Sequence, residues 1–242
     1  MINQAIEPKL MESPMWVDWK KISSIGGLNS KECHLFKVHV ANYYQKIDNQ
    51  YQYILSEEEL IQSQKFLKHN DKKRFIATRH SIRHIVSAFT ATVPASIEFN
   101  KTANKKPTVQ GLAFNISHSH NCILIGISKL PIGLDVEFMN GAFDYAPLIP
   151  VCFDESEAET ISGSKNKMEM FYRFWTRKEA ILKATGEGLI DDLLSINCED
   201  KTIIRNTKRY YLESGSINKE YIFSLATTDS DVRLKFWNYQ PD

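Results

Sequence analysis

Apolar residues recur along this 242-residue chain with two periods, every second position in some stretches and every third or fourth in others. The first period marks strands and the second helices. HLFKVHVANYY (34–44) is rich in β-branched and aromatic residues and predicts a strand. Ser56 followed three positions later by Glu59 is a capping box, so a helix starts there. A second helix, capped by Asp71, runs to about Thr90. SIEFN (96–100) predicts a short strand, and LAFNIS and CILIGIS predict two more, joined by the HSHN turn. GLDVEFM (133–139) predicts another strand. Asp154 with Glu157 repeats the capping-box spacing, and a long helix covers about 167–185 with Gly186 as its stop. Strands are expected near 193–198, 207–213, 219–228 and 232–238.

Strand, helix, long helix and then several strands is thus an order that occurs twice. No residue-level repeat accompanies it. The order alone predicts an α+β protein of two similar subdomains, each with helices packed on an antiparallel sheet. The expected division is an extension over 1–32, a first subdomain over 33–130 and a second over 131–242. A cleft between two such halves is a common place for a ligand.

Composition changes this picture little. Hydrophobic residues make up 43% and charged residues 24%, and the net charge is +1, so no global field argues for a nucleic acid or membrane partner. The charge is locally uneven. Residues 65–84 hold seven Lys and Arg against Asp71 alone, a local +6 that is either a solvated helix face or a site for an anion. The four cysteines are scattered, without metal-ligand or redox spacing. The beginning of the chain lacks the features of a signal peptide, and no apolar run is long enough to span a bilayer. A cytoplasmic location is expected.

Four stretches resist a purely structural account. Alternation puts Asp135 and Glu137 on one face of their strand, where two neighbouring carboxylates repel and a hard cation such as Mg²⁺ would relieve the repulsion. In the long helix, Lys178 falls within about 20° of Phe171, inside the apolar stripe. Glu179 and Lys183 lie along its edge. Snorkelling and an i,i+4 ion pair are the plain readings; binding of a metal-bound pyrophosphate is the sharper one. In the basic helix, Arg79 falls toward the buried side and needs a carboxylate or phosphate partner. His118 and His120 form an H-x-H, weak evidence for a metal and better suited to hydrogen bonding.

These stretches carry a resemblance. KKP…FNISHS (105–119), GLDVE (133–137) and FWTRKEAILKATGEGL (174–189) follow one another as in the 4′-phosphopantetheinyl transferases. The second resembles that family's G-[IL]-D-[IV]-E and the third its W-[ST]-x-K-E-[AS]-x-x-K-x-x-G-x-G-L. The chain is most similar to the larger, surfactin-synthetase-activating type, with Arg74 to Arg83 where the family has a basic helix. The resemblance implies a pseudo-dimer with coenzyme A in the cleft. It also implies transfer of the phosphopantetheine arm to a serine of an apo acyl or peptidyl carrier protein, with release of 3′,5′-ADP. By position, Asp135, Glu137 and Glu179 would hold Mg²⁺, and Glu179 would deprotonate the serine. Lys178 and Lys183 would contact the pyrophosphate, with Lys183 counted among the catalytic groups. Ser117 and His118 would contact phosphates at the adenosine end, with Lys106 and Pro107 beside the adenine. The segment before the basic helix is acidic where relatives often have lysines, so Arg74 and Arg79 are expected to serve the 3′-phosphate instead. A monomer is expected. Two other readings are a non-catalytic module that binds coenzyme A or a carrier, and another Mg²⁺-dependent phosphate-transfer enzyme or nuclease.

Overall fold

The computed structural model describes residues 15–22, 26–101, 107–188 and 192–241. The chain opens with two short strands, β1 (Met15–Trp16) and β2 (Lys20–Lys21), and a longer one, β3 (Glu32–His39). Helices α1 (Val40–Ile47), α2 (Glu57–Gln64) and α3 (His69–Thr90) follow, then β4 (Asn100–Lys101), β5 (Pro107–Thr108), β6 (Ala113–Ser119) and β7 (Cys122–Ser128). The second half begins with β8 (Ile132–Phe138), α4 (Ile149–Cys152), α5 (Glu155–Gly163) and α6 (Lys167–Thr185). It ends with β9 (Thr202–Arg205), β10 (Lys208–Ser216), β11 (Tyr221–Thr227) and β12 (Arg233–Asn238).

Two five-stranded sheets result, ordered β2-β12-β3-β7-β6 and β1-β10-β11-β8 with β9 beside β10, and β4 pairs with β5 in a small third sheet. Their alternation builds four layers. Cys33, Leu35 and Leu124 of the first sheet pack on Leu134, Val136 and Phe223 of the second. The opposite faces, through Phe36, Val38 and Ile125 in one sheet and Ile222 and Ala226 in the other, pack on α3 and α6 respectively. The expected α+β architecture of two subdomains holds. The central pairings are antiparallel, whereas β12 pairs parallel with β3 and with β2, and β1 pairs parallel with β10.

The two halves expected to meet at residue 130 exchange strands at the ends of the chain. β12 does not stay with the second half but crosses to the first sheet. The segment assigned to an extension supplies β1 to one sheet and β2 to the other. Local expectations shift too. The strand expected over 34–44 stops at His39, whose side chain accepts from the Asn42 N–H and starts α1. Lys68, not Asp71, is the residue before α3. The segments 94–96 and 193–195 are single 3₁₀ turns, so no strand occupies 193–198 and only Asn100 of 96–100 is in one.

The halves share a device that the element order did not reveal. Each capping box forms as expected, with Glu59 bonding back to Ser56 and Glu157 to Asp154. Each of these glutamates also holds a buried cation from the next helix. Arg83 Nε donates to Glu59 (2.8 Å), and Lys178 Nζ sits 2.6 Å from Glu157. Each cation completes its bonding on the carbonyls around the following 3₁₀ turn, Pro94 and Ile97 for Arg83, Leu193 and Ile196 for Lys178. Burial of charge is tolerated because every ionised group has its partners.

Helix α6 comes unusually close to its sheet. A Cβ on Gly133 would overlap the Ala180 carbonyl oxygen and the Ala184 nitrogen. Absence of a side chain there lets the helix backbone rest on β8, which brings residues 179–183 over the acidic end of the strand.

Candidate active site

β6 and β8 are the edge strands of the two sheets, and they run alongside one another at the seam. Side chains, not a backbone ladder, join them. Asn115 accepts from the Leu134 N–H (3.0 Å), Ser117 Oγ donates to Asp135 Oδ1 (2.8 Å), and Ser119 Oγ donates to Glu137 Oε2 (2.6 Å). Ser119 also accepts from the Phe138 N–H (3.1 Å). Residues 115, 117 and 119 share a face because strand side chains alternate. That alternation was the available signal for Asn115 and Ser119, to which the sequence reading gave no role.

Asp135 and Glu137 share the other face of β8, as expected, and point toward α6. Lys183 Nζ reaches both Asp135 Oδ1 (2.7 Å) and Ser117 Oγ (3.0 Å), linking both halves of the molecule at one point. Burial raises the Asp135 pKa above its ordinary value, opposed by Lys183 and Ser117. Burial pushes Glu137 up to about 7; Ser119 and Lys183 oppose this, and the charges of Asp135 and Glu179 add to it. Glu179 is raised by burial and then by the charge of Asp135. The three carboxylates therefore feel one another across a poorly hydrated space.

Asp135 Oδ2 is buried with no hydrogen-bond partner. A sealed, unpartnered carboxylate oxygen is costly unless a cation or proton meets it. The donor set fits a hard cation such as Mg²⁺. The carboxylates are not, however, gathered about a ready-made metal position: among the described residues no group of three or more His, Cys, Asp or Glu is so arranged. Lys183 and the two serines occupy part of their bonding capacity.

The basic side of the site comes from β6 and α3. His118 has its pKa lowered by burial, and the charges of Arg74 and Lys183 add to this. Arg74 bonds Asp71 (2.6 Å) and reaches the His120 carbonyl (3.5 Å) at the β6–β7 turn. Arg79 is different. Five residues on, it is rotated about 140° around the helix. It lies against the Phe75 ring and 3.8 Å from Glu59, so the structural carboxylate is the partner found. Of the two arginines expected to serve the 3′-phosphate, only Arg74 borders the site.

Lys178 also requires correction. It is 1% exposed, lies over the Phe153 ring, and spends its ammonium on Glu157 and two carbonyls. Its place on the apolar stripe was read correctly, but that stripe faces the core of the second half and not the cleft. Pro107 opens β5 opposite Lys101, and Lys106 lies outside the described residues.

Three carboxylates raised by burial, with an ammonium at their rim on the seam between the two halves, suit chemistry on a multiply charged phosphate ester. The comparisons agree. Residues 131–231 match the family model of the 4′-phosphopantetheinyl transferase superfamily, and residues 44–129 match that of the 4′-phosphopantetheinyl transferase N-terminal region. Over 215 residues the chain is 31% identical to a putative 4′-phosphopantetheinyl transferase, slr0495, of Synechocystis sp., covering 79% of this chain and 87% of the relative. It is 26% identical over 224 residues to the 4′-phosphopantetheinyl transferase HetI of Nostoc sp., covering 88% and 94%. To the L-aminoadipate-semialdehyde dehydrogenase-phosphopantetheinyl transferase of Homo sapiens it is 29% identical over 190 residues, covering 68% and 60%. The chain belongs to the 4′-phosphopantetheinyl transferase superfamily and is a transferase of that class.

Proposed function

We propose that the protein moves the 4′-phosphopantetheine group of coenzyme A onto a serine of an apo acyl or peptidyl carrier protein, releasing 3′,5′-ADP. The observation that carries this reading is the convergence of Asp135, Glu137, Glu179 and Lys183 with Ser117 at the seam, where one carboxylate oxygen is sealed without a partner. A cytoplasmic monomer that uses neither nucleic acid nor membrane is part of the same reading. Among the described residues no helix is long and apolar enough to cross a membrane.

In this reading Asp135, Glu137 and Glu179 would hold Mg²⁺, which would offset negative charge on the pyrophosphate. Lys183 exchanges its bond to Asp135 for a pyrophosphate oxygen and stabilises the charge that builds on the departing 3′,5′-ADP. Release of Lys183 also frees the Ser117 hydroxyl, which with His118 and Arg74 receives phosphates toward the adenosine end. Glu179, with its raised pKa, suits removal of the serine proton. The serine oxygen then forms a bond to the β-phosphorus as the bond to the bridging oxygen breaks.

The test is to incubate the protein with coenzyme A, Mg²⁺ and a panel of apo acyl and peptidyl carriers and weigh the intact carriers. A gain of one phosphopantetheine is expected. No gain on any carrier rejects the proposal.

A further inference from the structure

Beneath α6 a row of polar side chains crosses the second sheet. Strand register sets Ser214 of β10 against Ser224 of β11, and Ser224 against Asp135 of β8. Side chains paired in this way stand on one face of a sheet, with Cβ atoms about 5 Å apart. The adjoining row, Leu212, Ala226 and Gly133, is apolar. Hydroxyls therefore enter the core in a row that leads directly to a carboxylate of the site.

Thr176 of α6 closes on this row. Its Oγ1 lies 2.8 Å from Ser224 Oγ, which lies 2.9 Å from Ser214 Oγ. Thr176 and Ser224 are fully buried. The ends of the chain fix its direction. Thr176 donates its proton to the Arg173 carbonyl (3.0 Å), which can only accept. Ser224 therefore donates to Thr176, and Ser214 to Ser224. Arg177 Nε, which can only donate, supplies the last bond, to Ser214 (3.0 Å). Each hydroxyl gives one bond and takes one, so the network is closed and favours a single arrangement.

We infer that Thr176, held by Ser224, is a positioning residue that sets the register of α6 on its sheet and so places Glu179 and Lys183 against Asp135 and Glu137. The inference rests on the proposed reaction, in which those four side chains work together. Glu179 and Lys183 lie within about 60° of Thr176 around the helix, on the side that meets the sheet. The contact at Gly133 fixes how near α6 comes, but a glycine surface offers no directional bond against sliding along the strand. One residue of slip is about 1.5 Å. An error of about 1 Å at reacting groups can cost on the order of 100-fold in rate. The Thr176–Ser224 bond supplies the missing direction, from a serine that is the cross-strand neighbour of Asp135.

Thr176→Val keeps the shape and removes the hydroxyl, Thr176→Ser keeps the hydroxyl, and Ile181→Val trims a fully buried side chain about 140° away on the same helix. Transfer to an apo carrier at saturating coenzyme A and Mg²⁺, per folded protein, gives kcat. Electron paramagnetic resonance gives the affinity for Mn²⁺ in the presence of coenzyme A. Thr176→Val should lower kcat and Mn²⁺ affinity about tenfold each, and Ser224→Ala should reproduce both losses from the other side of the bond. Thr176→Ser should stay within about twofold of the unsubstituted protein. Ile181→Val should lower the melting temperature and leave both readouts unchanged. The double variant Thr176→Val with Ser224→Ala should lose no more kcat than the worse single one, because the two share one bond. Unchanged kcat and Mn²⁺ affinity in Thr176→Val and Ser224→Ala, equal losses in Thr176→Ser or Ile181→Val, or additive losses in the double variant overturn the inference and spare the reaction. An unsubstituted protein that transfers to no carrier, or binds no Mn²⁺ with coenzyme A, overturns the reaction as read and the inference with it.

Discussion

The two halves of the molecule are built on one frame and do different work. In both, a capping-box glutamate holds a buried cation from the next helix, and that cation ties down the 3₁₀ turn beyond it. The halves part company on the strand beneath the long helix. In the first half that strand, β3, presents Phe36 and Val38 to its helices; in the second, β8 presents Asp135 and Glu137. One half spends the helix–sheet interface on packing, and the other opens it to charge. Ion pairing in the interior is thus the shared scaffold, and acid on the strand face is what is particular to the site.

The comparison is most easily broken at the buried pairs. Lys178→Ala and Arg83→Ala should each destabilise the protein by about 3–5 kcal/mol, because each strands a buried glutamate. Denaturant melts measure this. Lys178→Met with Glu157→Leu should recover part of the loss, since the Leu193 and Ile196 carbonyls and the Cys198 N–H stay unpaired, and should keep transfer activity. A stable double variant without transfer would return Lys178 to the active site. Next in size are Asp135→Ala and Glu179→Ala. Transfer should fall at least ~100-fold. The melting temperature should hold steady or rise, since the remaining carboxylates lose a repelling neighbour. Full activity in either variant rejects its place in the site.

Gly133→Ala sharpens the comparison further. The added methyl must push α6 off β8, at a cost of about 1–3 kcal/mol. It should lower the transfer rate of the folded fraction as well, because Glu179 and Lys183 ride on the displaced helix. Unchanged kcat would mean that the close approach only stabilises. The smallest effect is expected on the outer surface of α3. Reversing Lys72 and Lys73 to Glu should raise KM for an acidic carrier by about fivefold, with coenzyme A affinity unchanged. Weakened coenzyme A binding would place those lysines at the nucleotide instead.

Much of this was legible in residue order, and the failures have physical causes. Capping boxes are local, so Ser56–Glu59 and Asp154–Glu157 were readable; the second task of each glutamate, contact with a cation some twenty residues away, was not. Asp135 and Glu137 were placed on one face by strand alternation alone. The stripe put Lys178 in the core, and the motif around it suggested phosphate; burial decided for the core. Helix α1 was missed inside an aromatic stretch, although Val40, Tyr43 and Ile47 are buried at helical spacing and could have revealed it. β12 was recognised as a strand. Its partner could not be, since parallel pairing with β3, about 200 residues earlier, leaves no local mark.

That late pairing bears on how the chain assembles as it leaves the ribosome. The first half emerges with its sheet open at β3, whose free edge waits through the synthesis of about a hundred further residues before β12 arrives. An exposed strand edge of that kind invites pairing with other chains. Glu32 meets this hazard with charge. It sits at the start of β3 and, once β12 docks, collects Lys235 (3.0 Å) and Arg233 (3.5 Å) from it. The same carboxylate would disfavour apolar strands during the wait and select the basic one that belongs there, so closure of the first half becomes the last event in building the second.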